Sequence, residues 1–318
     1  MPTFCRHNRF IQNCPICARE QATELRQVVS PGTAKRPSSS PRRSGGQTRS
    51  PAMQVRRLAR GADDGFRSPL VPGLKSSEDA ERLAEELAFA AARLTRLETD
   101  PPGCYAEVAA ADIEEGTWLA FLTAYLCPVN GEDPFAGIRA ARTPWASGEN
   151  PVLDGVALGP RTAHDPSRGT RTVDAYRAWA GRTGSQAAAV QGDPSWSPER
   201  RFARAFERLA LPGMHRDARF DLLVSLGRLG VYDVRAGSLQ LGGDNEPTIA
   251  AKRALGIGDT MLLERRAAEF AAAAELPLEA LDLGFYNWGT GTRCTMGLEP
   301  TAEPDPDALE SVRAALGL

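Results

Sequence analysis

Lysine and histidine are almost absent from this 318-residue chain, which contains three of each. Arginine, with 35 residues, supplies nearly all of the basic charge, a bias typical of a high-GC genome. No apolar run approaches the roughly 20 residues that a transmembrane helix needs. The first residues also lack the basic, apolar and small-residue pattern of a signal peptide, so we expect a cytoplasmic protein. Dinucleotide-binding, Walker and HExxH motifs are absent as well.

The net charge of −2 conceals two oppositely charged regions. Residues 1–20 carry +2, and residues 21–75 carry +8 from eleven basic and three acidic side chains. Residues 76–318 therefore carry −12. A basic head suits a polyanionic partner, whereas an acidic body repels one unless its arginines gather on one face.

The head opens with a compact group of metal-ligand residues. Cys5 and His7 precede Cys14 and Cys17, and the last two form a C-x2-C pair. Two intervening residues let both thiolates reach one metal ion, so the four residues predict a closed, structural Cys3His zinc site. A chance grouping is the alternative. Arginines surround this predicted zinc knuckle. They are as compatible with contact to nucleic acid as with an ordinary solvated surface.

Residues 21–75 are predicted to be a disordered basic linker. The stretch from Pro31 to Pro51 is rich in serine, proline, glycine and arginine and has no hydrophobic periodicity. Such a segment cannot bury enough apolar surface to fold. Its charge is compatible with salt-sensitive binding of a polyanion and with a plain tether.

Residues 76–318 have the pattern of an all-α domain of about ten helices. Leu83, Leu87 and Leu94 recur at the spacing of an amphipathic helix. The nearly continuous apolar run at 118–126 predicts a central, buried helix. Residues 231–241 are the only stretch that suggests extended structure.

Between Arg204 and Leu229 the pattern predicts two helices joined by a tight turn at residues 211–215. In a helix–hairpin–helix motif, such a turn exposes backbone N–H groups at the start of the second helix, where they bind phosphate. Pro212 and Gly213 form the turn here, and His215 occupies the position of the usual second glycine. An ordinary helical corner is the alternative.

The order of features resembles the helix–hairpin–helix DNA glycosylase superfamily. The shared features are a buried early helix, the hairpin, an acidic loop before an R-x-L-G helix at 253–256, and a late helix ending near Trp288. More narrowly, residues 105–290 with the Cys/His knuckle look like the alpha-glutamyl/putrescinyl thymine pyrophosphorylase group, bacterial clade 3. Relatives of that group are associated with hypermodified thymine in phage DNA.

This resemblance implies a catalytic Asp or Glu after the hairpin, beside a flipped base. Asp244 and Glu246 occupy the corresponding loop, and Asp233 is a third candidate. Both loop carboxylates could instead cap the helix that begins near Pro247.

The resemblance also implies residues that hold DNA. Candidate phosphate contacts are Pro212, Gly213, His215, Arg216, Lys252 and Arg253, and the candidate base pocket is Tyr286, Asn287 and Trp288. The alternatives are a solvated helix face for the Lys-Arg pair and a core position for the aromatic residues. Trp145 and Trp196 could stack on nucleic acid or cover the core.

Two departures from the superfamily narrow the chemistry. No lysine follows the turn, so Schiff-base lyase activity is not expected. The remaining cysteines (Cys104, Cys127 and Cys294) are dispersed, so no iron–sulfur cluster is expected. The sequence thus favours a DNA-binding, base-processing enzyme that uses a loop carboxylate. The competing hypothesis is a non-catalytic helical module that binds nucleic acid or protein.

Overall fold

A computed structural model describes residues 61–318, and all regular structure in this range is helical, as predicted. Two short 3-10 turns, Trp145–Ser147 and Pro166–Arg168, interrupt the long connection after the fourth helix. The α-helices are α1 (Ser77–Thr99), α2 (Cys104–Ala110), α3 (Ile113–Leu126), α4 (Ala136–Ala141), α5 (Arg171–Gly181), α6 (Gln186–Gln191), α7 (Pro198–Arg208), α8 (Arg216–Arg228), α9 (Glu246–Leu255), α10 (Thr260–Ala273), α11 (Ala280–Thr290) and α12 (Pro306–Leu316).

The predicted zinc ligands Cys5, His7, Cys14 and Cys17 lie outside the described residues, as does most of the predicted linker. Within 61–318, no helix combines the length and apolar character needed to cross a membrane.

Helix α3 forms the centre of a first group of helices, as its apolar run predicts. Asp112 caps its N-terminus by accepting hydrogen bonds from the backbone N–H groups of Glu114 and Glu115. Every residue from 116 to 126 is buried, because α2, α6 and α8 pack around the helix. Trp118 and Phe121 stack at 5.4 Å between ring centroids.

Helices α1, α9, α10, α11 and α12 form the second group, in which α1 and α11 make the most extensive contact. Gly284 permits this close approach, because a Cβ atom there would lie 2.5 Å from the Leu87 side chain. Trp288 donates its indole N–H to the Asp79 carbonyl at 3.0 Å. A contact between α1 and α8 joins the two groups.

The last fifteen residues of the predicted linker belong to the folded body. Val71 and Leu74 are buried, and the Gly73 N–H donates to the Ala254 carbonyl at 3.0 Å. A Cβ at Gly73 would lie 1.9 Å from the Arg253 carbonyl oxygen, so only glycine fits this contact. The predicted boundary at residue 76 is therefore wrong, because short-range periodicity does not reveal isolated anchoring residues.

The suggested extended stretch at 231–241 contains no strand. Tyr232, Val234 and Ala236 alternate into the core, which explains the strand-like pattern. Their backbone follows an irregular path from α8 toward α9.

Candidate active site

The predicted turn between two helices is present between α7 and α8. The Met214 N–H donates to the Leu211 carbonyl at 3.0 Å, and Gly213 has φ of 82°. The Thr172 hydroxyl donates to the Pro212 carbonyl at 2.9 Å and leaves no room for a Cβ at Gly213. His215 is the N-cap residue of α8, but its side chain accepts no hydrogen bond from the first turn. The helix start therefore lacks a side-chain cap and can receive an anion.

The acidic loop at 242–246 leads into α9. Asn245, and neither neighbouring carboxylate, caps that helix, because its side chain accepts from the Thr248 N–H at 3.1 Å. The Thr248 hydroxyl accepts from the Gly242 N–H, which holds the loop against the helix. Asp244 and Glu246 are exposed and form no hydrogen bond or ion pair within residues 61–318. Their carboxylates are consequently available to a ligand.

A cleft of about 520 Å³ brings the turn and the acidic loop together. Three stretches of chain and one residue of α11 form its wall: Pro160–Thr162, His215–Asp217, Gly242–Glu246 and Tyr286. Five of the predicted site residues thus meet here, namely His215, Arg216, Asp244, Glu246 and Tyr286.

Beneath the cleft lies a buried network of two arginines and two aspartates. Arg161 donates to Asp221 at 2.9 Å through Nε and to Asp282 at 2.6 Å through Nη2. Arg216 contacts the other oxygen of Asp282 through Nη1. The Arg161 side chain is 0% exposed, and its Nη1 has no hydrogen-bond partner among residues 61–318.

The pKa values of the two aspartates in this network shift in opposite directions. Burial raises the pKa of Asp282, but Arg216 and Arg161 oppose it and hold that pKa below its usual value. Burial raises the pKa of Asp221, which contacts only one of these guanidinium groups. Although burial opposes charge on Arg161, Asp221 and Asp282 keep its pKa well above the usual value. Asp282 is therefore the ionised centre of the network.

Arg216 and Glu264 clamp the backbone that leads to the acidic loop. Arg216 donates to the carbonyls of Leu239 and Gln240, and Glu264 accepts from the N–H groups of Leu239 and Leu241. Gln240 has φ of 56°, a left-handed conformation that these contacts hold in place. The start of α8 and the carboxylate loop are thereby joined through one arginine.

Tyr286 is the only member of the predicted base pocket that lines the cleft. Its hydroxyl donates to the Pro160 carbonyl at 2.9 Å, and Arg161 lies 4.7 Å from its ring centroid. The Asn287 side chain is buried. Its Nδ2 donates to the Glu86 carboxylate at 3.0 Å, and its Oδ1 accepts from the Cys294 N–H at 2.9 Å. Asn287 and Trp288 therefore stabilise the packing of α11, and the prediction that they contact a base is not supported.

Asp233 lies away from the cleft. It is exposed, forms an ion pair with Arg201 at 2.7 Å and lines a separate cavity of about 350 Å³. The loop that carries it turns away because Tyr232 and Val234 on either side are buried.

Lys252 and Arg253 also lie outside the cleft. The Arg253 guanidinium stacks on Trp288 at 3.9 Å from the ring centroid, near the start of the folded chain. Lys252 is half-buried on α9. Both residues are in the last turn of that helix, whereas its first residue, Glu246, lines the cleft.

The other candidate ligands and rings have structural surroundings. His164 is buried with its Nδ1 2.9 Å from the Tyr125 hydroxyl, and burial lowers its pKa. Trp145 packs on Trp118 at 5.4 Å. The three cysteines of residues 61–318 are free and buried, and no metal-binding cluster of three or more His, Cys, Asp or Glu residues occurs in that range.

Sequence reasoning missed Arg161, Asp221 and Asp282. A signal for the aspartates does exist, since Asp282 interrupts the apolar run Leu281–Phe285 and Asp221 precedes two leucines. An ionisable residue in a buried apolar run needs a charged or hydrogen-bonding partner. The partner, Arg161, lies in a long irregular connection that has no recognisable pattern.

The chain matches no protein-family model, no curated protein and no solved structure. Any assignment of function therefore depends on the residues and geometry of the cleft.

Proposed function

We propose that the protein is a DNA-binding enzyme with a glycosylase-like helical body, and that it acts on a modified thymine or another pyrimidine. One observation carries this proposal: the cleft combines two carboxylates without partners and the start of an uncapped helix. Its volume of about 520 Å³ lies within the range of small-molecule sites and accommodates a single base.

The start of α8 supplies the anion-binding part. Backbone N–H groups in the first turn of a helix attract a phosphate, and the helix dipole adds to this attraction. Arg216 contributes positive charge at the same place, although Asp282 and Asp217 partly neutralise it. A DNA phosphate held here positions the neighbouring nucleotide over the cleft.

Asp244 and Glu246 supply the negative charge. In base excision, water adds to C1′ of the sugar while the glycosidic bond breaks, and the bonding electrons leave with the base, which then gains a proton. A carboxylate stabilises the positive charge that develops on the sugar or orients the attacking water. In the alternative reaction, a nucleophile displaces pyrophosphate from an activated substituent of the base, and the carboxylate accepts the nucleophile's proton.

The head of the chain adds affinity in this proposal. A Cys3His knuckle holding structural Zn²⁺ and the basic stretch that follows would bind DNA without sequence preference.

The test compares the full chain with its Asp244→Asn/Glu246→Gln variant on duplexes that contain modified pyrimidines, including a pyrophosphate-activated one. Mass spectrometry would record the released base or the substituted product. We expect the rate to fall by about 100-fold or more, since the reaction loses its charged catalyst. The unfolding free energy should change by less than about 0.5 kcal/mol, because both side chains are exposed and form no hydrogen bond or ion pair within residues 61–318.

Asp307→Asn/Glu310→Gln is the matched control. It removes the same two charges from exposed positions of another helix, α12, and should leave the rate unchanged. If the wild-type chain binds every duplex but alters none, the protein is a non-catalytic binding module.

A further inference from the structure

The outer face of α7 carries a row of arginines. Arg200, Arg204 and Arg208 are four residues apart and all exposed, with 51% of the Arg204 side chain accessible. Because residues at this spacing lie on one side of a helix, their Cα atoms follow one another about 6 Å apart along the axis. We call these three residues the arginine ridge. Phe202 and Phe206 face the opposite way, into the core.

Trp196 lies beside this ridge, just before α7 begins. The guanidinium groups of Arg200 and Arg208 are 5.3 and 5.7 Å from its ring centroid. Gly192 lies against the ring, since a Cβ there would be 2.6 Å from it. The indole is only partly buried, so an aromatic surface adjoins the positive charges.

The charge of the ridge differs from its surroundings. Residues 61–318 carry a net charge of −12, whereas α7 has four arginines and two glutamates. Arg204 pairs with Glu207 at 2.9 Å, and Asp193 is the acidic neighbour of Arg200. Arg200 and Arg208 form no ion pair with a described residue.

The neighbouring arginines on helix α10 provide a comparison, because both have an ionic partner. Arg265 and Arg266 both pair with Glu269, at 3.5 and 3.1 Å. Glu269 contacts both guanidinium groups, so each of these arginines has an ionic partner within its own helix. Arg200 and Arg208 on α7, by contrast, have no ionic partner among residues 61–318.

We propose that the arginine ridge binds the sugar–phosphate backbone of the DNA whose nucleotide enters the cleft, and that Trp196 stacks on a base of the same DNA. This inference rests on the proposed function for the identity of the partner. Helix α7 packs on α8 through Phe202 and Phe220, 5.4 Å apart, and Arg208 precedes the turn to His215. In this proposal, a DNA backbone bound at the start of α8 continues past Arg208 along α7.

The test measures DNA affinity of the full chain by fluorescence anisotropy between about 50 and 200 mM salt. Replacing all three ridge arginines with glutamine should weaken binding by about tenfold or more at low salt. The slope of log K against log salt should fall by about 0.9 for each phosphate contact removed. The control, Arg265→Gln/Arg266→Gln, should keep the wild-type slope.

Two further variants separate DNA contact from folding. Lysine at the three ridge positions keeps the charge, so it should retain most of the slope. Trp196→Leu should weaken binding to single-stranded DNA by about tenfold with little change of slope, because stacking does not release counterions. Circular dichroism melting would verify that each variant is folded.

Equal slopes for the ridge variant and the α10 control would overturn the proposal, as would a wild-type chain that binds no DNA. If the ridge variant loses as much affinity for poly-L-glutamate as for DNA, the ridge binds acidic polypeptides, and the proposal is overturned as well. If the ridge variant loses DNA affinity while the wild-type chain processes no base, the DNA surface stands and only the proposed catalysis fails.

Discussion

The interior around helix α3 and the interior beneath the cleft are equally buried but chemically opposite. Around α3, Phe121 and Tyr176 stack at 3.8 Å between centroids, and the contacts are aromatic. Beneath the cleft, Asp282 lies between Arg161 and Arg216. Burial of apolar rings stabilises a fold directly, whereas a buried ion pair roughly offsets its own desolvation cost. The charged interior therefore adds little net stability, and its contacts connect α8, α11 and the stretch around Arg161 beneath the cleft.

The largest effect should come from Asp282→Ala. Its removal leaves two buried guanidinium groups without their shared carboxylate, which costs about 3 to 5 kcal/mol. Urea unfolding would measure the loss. Asp133→Ala removes the carboxylate of an exposed pair with Arg139 and should cost less than about 1 kcal/mol. Similar losses in both variants would show that the buried network is no more important than a surface pair.

A smaller effect should follow from Phe121→Leu in the aromatic interior. Leucine keeps most of the apolar contact and leaves no unpaired charge, so we expect a cost of about 1.5 kcal/mol. The same urea titration measures it. A loss as large as that of Asp282→Ala would remove the contrast between the two interiors.

The smallest effect concerns the pH dependence contributed by Glu264. Burial raises the pKa of this carboxyl, although the Leu241 and Leu239 N–H groups oppose the shift. Between the ordinary pKa of glutamate, about 4.3, and the raised value, the folded protein binds more protons than the unfolded chain. The stability of the wild-type protein should therefore decrease, relative to Glu264→Gln, as pH rises through this window.

Unfolding midpoints at several pH values between about 4 and 7 would measure this difference. A wild-type advantage that grows with pH would contradict it. Such a result would mean that the two N–H donors dominate over burial and that Glu264 behaves like Asp282.

The helices and one wall of the cleft were predictable from local pattern. The apolar run of α3, the turn at Pro212 and Gly213, and the acidic loop with Asp244 all follow from neighbouring residues in sequence. The floor of the cleft was not predictable in this way. Arg161 and Asp282 are 121 positions apart, so no spacing rule connects them.

The incorrectly placed site residues have two physical causes, one for the helices and one for a loop. Lys252 lies six residues beyond Glu246 on α9, and Trp288 lies two residues beyond Tyr286 on α11, so both are on the correct helices but neither lines the cleft. A helix rotates by about 100° per residue, so a motif places the helix near a site without showing which of its faces points there. Asp233 was misplaced because buried neighbours turn its loop outward.

The sequence by itself determined an all-helical body, a tight turn between two helices and a pair of loop carboxylates, since each depends on residues close together in the chain. Only the tertiary structure decided that the turn and the carboxylates share one cleft, that Arg161, Asp221 and Asp282 lie beneath it, and that α7 turns its arginines outward. These features depend on which helix faces meet. That choice is made by packing over the whole domain, because burying apolar faces lowers the free energy wherever the partner lies in sequence.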